Sequence, residues 1–328
     1  MSYPVITHHD LSLSSGASIH YMTTGPSVPT TPTILLLHGF PSSSHQFRTL
    51  VPLLAKASSS LRVIAPDLPG FGLTTVPEDV GYKYTFENMT KTMVEFLEEM
   101  GVGEMVVYGF DYGFPVAFRL ALIQHQHRPR ELNSTSQATS ARWRIKALIS
   151  QNGNGYVEGL LPSFWAPLQS YWSTSNIHDG PSRQTLQSFL SDPNNLKSQY
   201  FGTTIPSKAQ SDVESDRRVD RIDPVSWKVD WMMNVRDRLD IQLDYFYDYQ
   251  TNVELYPAFQ TYLRESKVPL LAAWGRHDVA FDPIGAEMFR RDAHDSRIHF
   301  LDGTHFLLET HVEEVTAYIV NFLDDIGF

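Results

Sequence analysis

The chain has 328 residues, 42% hydrophobic and 19% charged, no cysteine, and a formal charge of -11. These values suit a soluble globular protein with one core plus a subdomain, and exclude disulfides, thiolate metal sites and a cysteine nucleophile. The acidic balance argues against nucleic acid or an anionic membrane as partner, because phosphate binding needs a cationic face, and no apolar run approaches the roughly eighteen residues of a membrane span.

The first ten residues, "MSYPVITHHD", lack a basic region followed by an apolar stretch, so the expected compartment is the cytosol. Residues 1–30 alternate polar and apolar around Gly16, which predicts an antiparallel hairpin at one sheet edge. Apolar, β-branched runs then recur at 33–39, 61–70, 105–111, 145–153, 269–275 and 297–303, each ending in turn residues. Strands this continuously apolar are buried on both faces, as in a mainly parallel sheet. Helical periods separate them: "SHQFRTLVPLLAKA", then "TFENMTKTMVEFLEEMG" with Gly101 placed to end it, then "PVAFRLALIQH", and lastly "VEEVTAYIVNFLDDIG". Alternating strand and helix predicts an α/β fold.

Two stretches break the alternation. Residues 124–144, rich in Ser, Thr, Gln and Arg, predict a solvated surface loop, whose histidines belong to that polar surface rather than to a metal site. Residues 155–265 are aromatic-rich, with a polar middle and no clear central strand, and predict a helical insertion that covers the carboxyl edge of the sheet. The expected organisation is a core of 1–154 and 266–328 with a cap of 155–265.

The "GFDYG" turn, 109–113, follows an apolar strand and precedes a helix. Gly109 and Gly113 bracket Asp111, where side chains on either flank would clash with strand or helix. Such a turn projects its central side chain off the sheet edge beside a helix N-terminus, where a carboxylate stays ionised and can attack carbon. Upstream, "LLLHGFP" ends a strand and offers the backbone N–H of Phe40 as an oxyanion donor beside that of Tyr112. Downstream, "WGRHD" places Asp278 just past the next-to-last core strand and "GTHF" places His305 just past the last, giving the order nucleophile, acid, histidine.

From "HGFP" through "DLPGFG", "GFDYG", "WGRHD" and "GTHF", the chain resembles the α/β-hydrolase superfamily, in the branch of epoxide hydrolases and haloalkane dehalogenases. The resemblance covers the sheet core at both ends, and 155–265 corresponds to the lid or cap. It implies Asp111 as nucleophile, His305 as base, Asp278 as its orienting acid, and Phe40 with Tyr112 as oxyanion-hole donors. The "DLPGFGLT" loop is family-like and expected to be structural. No metal or organic cofactor is implied, the partners being a hydrophobic small-molecule substrate and water, and the assembly a monomer or homodimer.

Dehalogenases of this branch generally carry a Trp straight after the nucleophile as halide donor. Here that position is Tyr112, so Trp172, Trp165 or Trp274 would have to substitute. Epoxide hydrolases use one or two lid tyrosines to protonate the leaving oxygen; Tyr249 is the first choice, Tyr171 the second and Tyr156 the reserve. The leading expectation is epoxide hydrolysis through an alkyl-enzyme ester. A dehalogenase with unusual donors, a biosynthetic non-hydrolytic enzyme and a ligand receptor on the same fold remain as alternatives.

Overall fold

The computed structural model describes residues 4–28, 30–126, 143–174, 177–202 and 221–328. Eight strands are seen among them: β1 Thr7–Ser12, β2 Ser18–Thr24, β3 Thr33–Leu37, β4 Arg62–Pro66, β5 Glu104–Phe110, β6 Arg144–Gln151, β7 Leu270–Gly275 and β8 Ser296–Leu301. They form one sheet in the order β1-β2-β4-β3-β5-β6-β7-β8. The hairpin β1–β2 and the β2–β4 pair are antiparallel, and every other pairing is parallel. Every residue of β3, β4 and β7 is buried, as the continuous apolar runs require of strands covered on both faces.

After β3 the chain crosses to one side to make β4, then to the other side to make β5. The loops leaving β3 and β5 therefore part at the same carboxyl edge, and open a crevice there. Around the sheet lie α1 Leu50–Ala57, α2 Phe86–Glu99 and α3 Gly113–Gln126. The α2 helix buries Phe86, Met89, Met93 and Phe96, one helical face. It stops at Gly101, whose φ is +61°, with Gly101 N–H donating to Glu98 and Val102 N–H to Leu97. Those two bonds make a Schellman ending, which needs a residue that tolerates positive φ.

The insertion carries α4 Pro162–Trp172, α5 Pro181–Ser191, α6 Pro193–Phe201, α7 Pro224–Asp230, α8 Leu239–Asp248 and α9 Gln250–Ser266. The short α10 Ile284–Glu287 and α11 Phe289–Asp292 and the long α12 Leu308–Asp325 complete the chain. The expected cap range includes one helix of different placement. α9 lies along α3, with Phe259 stacked on Phe118 at 4.6 Å between ring centroids, and Arg119 bonded to Asn252 and Thr251.

Two residues of the 155–265 stretch, Asn234 and Tyr245, bond directly to loops at the carboxyl edge. Asn234 donates to Pro41 O at 2.8 Å and accepts from Gly72 N at 2.7 Å, and the Tyr245 hydroxyl donates to Pro69 O at 2.8 Å. The "DLPGFGLT" loop is itself braced by Asp67, which accepts from Ser44 N and Leu73 N, each at 2.7 Å. Most of the expected 124–144 loop lies outside the described residues; His125, which is inside them, has Nε2 3.1 Å from Glu265. Among the described residues no helix is long and apolar enough to cross a membrane.

Candidate active site

Asp111 sits between β5 and α3 with φ +47°, a left-handed conformation that a non-glycine residue adopts only where its surroundings impose it. Its flanking glycines permit the turn by leaving room for the neighbouring backbone. A Cβ on Gly109 would come within 2.5 Å of Phe114 Cα, and one on Gly113 within 2.1 Å of Leu37 O. A third glycine matters from across the crevice, since a Cβ on Gly39 would meet Asp111 Cβ at 2.4 Å. Helix α3 thus touches β5 at Gly109 and β3 at Gly113, and the loops after β3 and β5 touch at Gly39, three positions that no side chain fits.

The Asp111 carboxylate is buried, and its two oxygens have different surroundings. Oδ1 accepts the Phe40 N–H at 2.7 Å, and the Tyr112 N–H also bonds the carboxylate. Oδ2 lies 3.8 Å from His305 Nε2, beyond a hydrogen bond. On the far side of the ring, His305 Nδ1 is 2.7 Å from Asp278 Oδ2. Asp278 is held in turn by the N–H groups of Ala280 at 2.7 Å and Phe281 at 3.1 Å on Oδ1, and by Asn152 Nδ2 at 2.6 Å on Oδ2. The structure brings Asp111, His305, Asp278, Phe40 and Tyr112 together from four separate loops.

The electrostatics follow from burial and this pairing. Burial pushes the Asp111 carboxyl up to about 6, against the opposing pull of His305 and the two N–H donors. For His305, burial is the largest single influence and acts downward, but the Asp278 charge and hydrogen bond, with the Asp111 charge, outweigh it and raise the imidazole above its ordinary value. Phe110, Phe281 and Phe306 surround the ring, with centroids 4.7, 6.0 and 5.5 Å away.

The aromatic residues expected to act from 155–265 separate clearly. Tyr249 is fully buried between Trp165 at 4.6 Å and Tyr112 at 5.6 Å, and the Asp111 charge contributes to raising its phenol well above the ordinary value, after burial and Tyr256. Tyr171 is not brought to the site: its hydroxyl donates to Ile177 O at 2.7 Å and accepts from Arg183 at 2.9 Å. Tyr156 packs against Phe289 at 5.3 Å and beneath the Arg291 guanidinium at 5.1 Å, facing Asp292 rather than the carboxylate of Asp111. The Trp172 ring flanks Tyr249, but its N–H is spent on Phe246 O at 2.8 Å. The N–H groups of Trp165 and Trp274 are spent likewise, on Ala280 O at 2.8 Å and Phe281 O at 3.2 Å.

Three residues at this edge escaped the sequence reading. Asn152 directly follows β6 with φ +46° and holds both Asp278 and, through Oδ1, Gly275 N at 3.2 Å. Tyr256 and Asn154 form a chain with Tyr249, the two hydroxyls 3.5 Å apart and Asn154 Nδ2 3.5 Å from Tyr256. The available signal was the "QNGNG" run, 151–155, at the carboxyl end of a core strand, and a tyrosine seven residues beyond Tyr249 on one helical face.

A family model described as the alpha/beta hydrolase fold matches residues 32–312. An uncharacterized hydrolase of Saccharomyces cerevisiae is 38% identical over 322 residues, which is 98% of each chain. Among solved structures, potato (Solanum tuberosum) epoxide hydrolase I aligns with TM-score 0.68 at 18% identity, covering 98% of this chain and 100% of that one. The haloalkane dehalogenase DbeA of Bradyrhizobium elkani aligns with TM-score 0.68 at 18% identity, covering 98% and 99%. At such identity the two solved structures share the fold with this chain.

Proposed function

The chain belongs to the α/β-hydrolase fold family, and on that premise we propose that it hydrolyses an epoxide on a hydrophobic small molecule through an ester on Asp111. The observation that carries the reading is the split environment of the Asp111 carboxylate, with Oδ1 on the Phe40 N–H and Oδ2 facing His305. A serine in this position would need its proton removed before attack; an ionised carboxylate does not.

In the first step Oδ2 attacks a ring carbon in line with the breaking C–O bond, and the departing oxygen takes the proton of Tyr249. In the second, His305 Nε2 takes a proton from water, whose oxygen adds to the ester carbonyl carbon. The charge that develops on Oδ1 falls on the N–H groups of Phe40 and Tyr112, already in place. Collapse releases a vicinal diol and restores Asp111, and the proton on His305 returns through the pocket to Tyr249. Asp278 holds the imidazole in the tautomer with Nδ1 protonated, which leaves Nε2 free as the base. These steps require no metal or organic cofactor.

Oxygen is favoured over halide as the leaving atom by the state of the donors. The indole N–H groups of Trp165, Trp172 and Trp274 are committed to backbone carbonyls, whereas a phenol, Tyr249, lies against Tyr112, the residue next to Asp111. The walls around it, from Phe40, Phe246, Trp165 and Phe281, suit an apolar substrate.

The test is intact mass spectrometry of His305→Gln incubated with panels of epoxides and haloalkanes. An epoxide adds its whole mass to Asp111, because ring opening expels nothing; a haloalkane adds its mass less that of the hydrogen halide. Adducts from epoxides are expected. Adducts from haloalkanes alone, or none from any member of either panel, would overturn the proposal.

A further inference from the structure

The Tyr112 hydroxyl is buried and has no hydrogen-bond partner. That is an expensive place for an O–H group, since it has given up water and received nothing in exchange. Tyr245 and Tyr200 are satisfied, by Pro69 O and Asp230; the Tyr156 hydroxyl also lacks a partner, but its ring lies against Phe289 and Arg291, away from Asp111. Phenylalanine would fill the same aromatic space without the penalty, because the ring alone makes the contacts with Phe86 at 4.9 Å, Tyr249 at 5.6 Å and Phe40 at 5.8 Å.

Resting on the epoxide reading above, we infer that Tyr112 is a second donor to the departing oxygen, reaching it from the core side while Tyr249 reaches it from the cap. The residue is well placed for this. It immediately follows Asp111, its ring lies against Tyr249, and Phe40, Phe86 and Tyr245 close the space around it. Burial, followed by the charges of Asp111 and Asp248, raises the phenol well above its ordinary value, so it stays protonated and able to donate.

The chemistry balances without a further reactant. As the bond from Asp111 Oδ2 to carbon forms, the C–O bond of the ring breaks and its electron pair stays on oxygen. That oxygen accepts the Tyr249 proton and a hydrogen bond from Tyr112. One phenol transfers its proton; the other keeps it and lowers the charge that must be neutralised at the moment of cleavage. The orphaned hydroxyl thus finds its partner only in the substrate.

The experiment places Tyr112→Phe in the His305→Gln background, where the ester accumulates and its rate of formation is read directly by mass. With an aryl epoxide, formation is expected to slow by about tenfold to hundredfold, the worth of one hydrogen bond to a charged oxygen. In the same preparation the melting temperature is expected to stay level or rise, because an unsatisfied buried hydroxyl has been removed. An unchanged rate would overturn the inference and leave the proposed function standing. A slower rate with a lowered melting temperature would also overturn it, since it would mark Tyr112 as structural. Absence of any epoxide adduct in His305→Gln itself would remove the function and the inference together.

Discussion

Asn152 Nδ2 donates to Asp278 Oδ2 at 2.6 Å, onto the same oxygen that faces His305 Nδ1 at 2.7 Å. One carboxylate oxygen is therefore pinned from two sides, and the imidazole inherits its orientation from a residue beyond Asp278 and Asp111. Asn152→Ala should slow ester hydrolysis about tenfold, a hydrogen bond to a charged group being worth about 1.5–3 kcal/mol. Ester formation should change little, since it does not use His305 as a base. Asn152→Asp should be worse, because two carboxylates at that distance share a proton and Asp278 loses charge. Single-turnover kinetics of the two half-reactions checks both.

On the proposed mechanism, the two steps should also differ in pH dependence. Ester formation needs ionised Asp111, whose carboxyl is pushed up to about 6, so its rate should fall about tenfold per pH unit below that value. Hydrolysis needs neutral His305. In the free protein the Asp111 charge helps to raise that imidazole, and esterification removes the charge, so the pKa drops when the base is required. The midpoint of ester hydrolysis should therefore lie below the His305 midpoint measured by NMR in the free protein.

Stability should decline between about pH 4 and pH 7 through Asp230. This carboxyl, at the end of α7, is buried and pushed up to about 7 by burial, despite hydrogen bonds from Tyr200 and Ser42. Its folded value lies above its unfolded one, so in that window the folded state holds a proton the unfolded state has lost. Stability then falls as pH rises. The span amounts to roughly 2–4 kcal/mol, and Asp111 adds the same sign over a narrower window. Asp230→Asn should flatten the slope in urea unfolding measured at pH 5, 6, 7 and 8.

The turn at Asp111 should be intolerant where backbone approaches backbone. Gly113→Ala sets a Cβ 2.1 Å from Leu37 O and should cost about 3 kcal/mol or more, with loss of ester formation. Gly81→Ala is the contrast: φ is +64° but nothing lies within 4 Å, so only local strain remains, about 1 kcal/mol. Urea midpoints of the two variants, at unchanged slope, make the comparison.

The fold and the polar centre were legible in the sequence because the forces that set them act between near neighbours. Short apolar, β-branched runs bounded by turn residues read as covered strands, and Gly109 and Gly113 permit a turn that other residues would obstruct. Asp278 and His305 stand just past the last two apolar runs of the chain, β7 and β8. The lid was different. Tyr171, Tyr156 and Tyr249 are equally tyrosines in a helical insertion, yet only Tyr249 lies against Tyr112, while Arg183 and the Ile177 carbonyl hold the Tyr171 hydroxyl elsewhere. Which face of a cap helix looks down is decided by bonds between residues far apart in the chain, such as Asn234 to Pro41 and Tyr245 to Pro69. Helical periodicity shows that a face will be buried, but the partner that buries it, and so which tyrosine comes to lie against Tyr112, exists only once the chain has closed on itself.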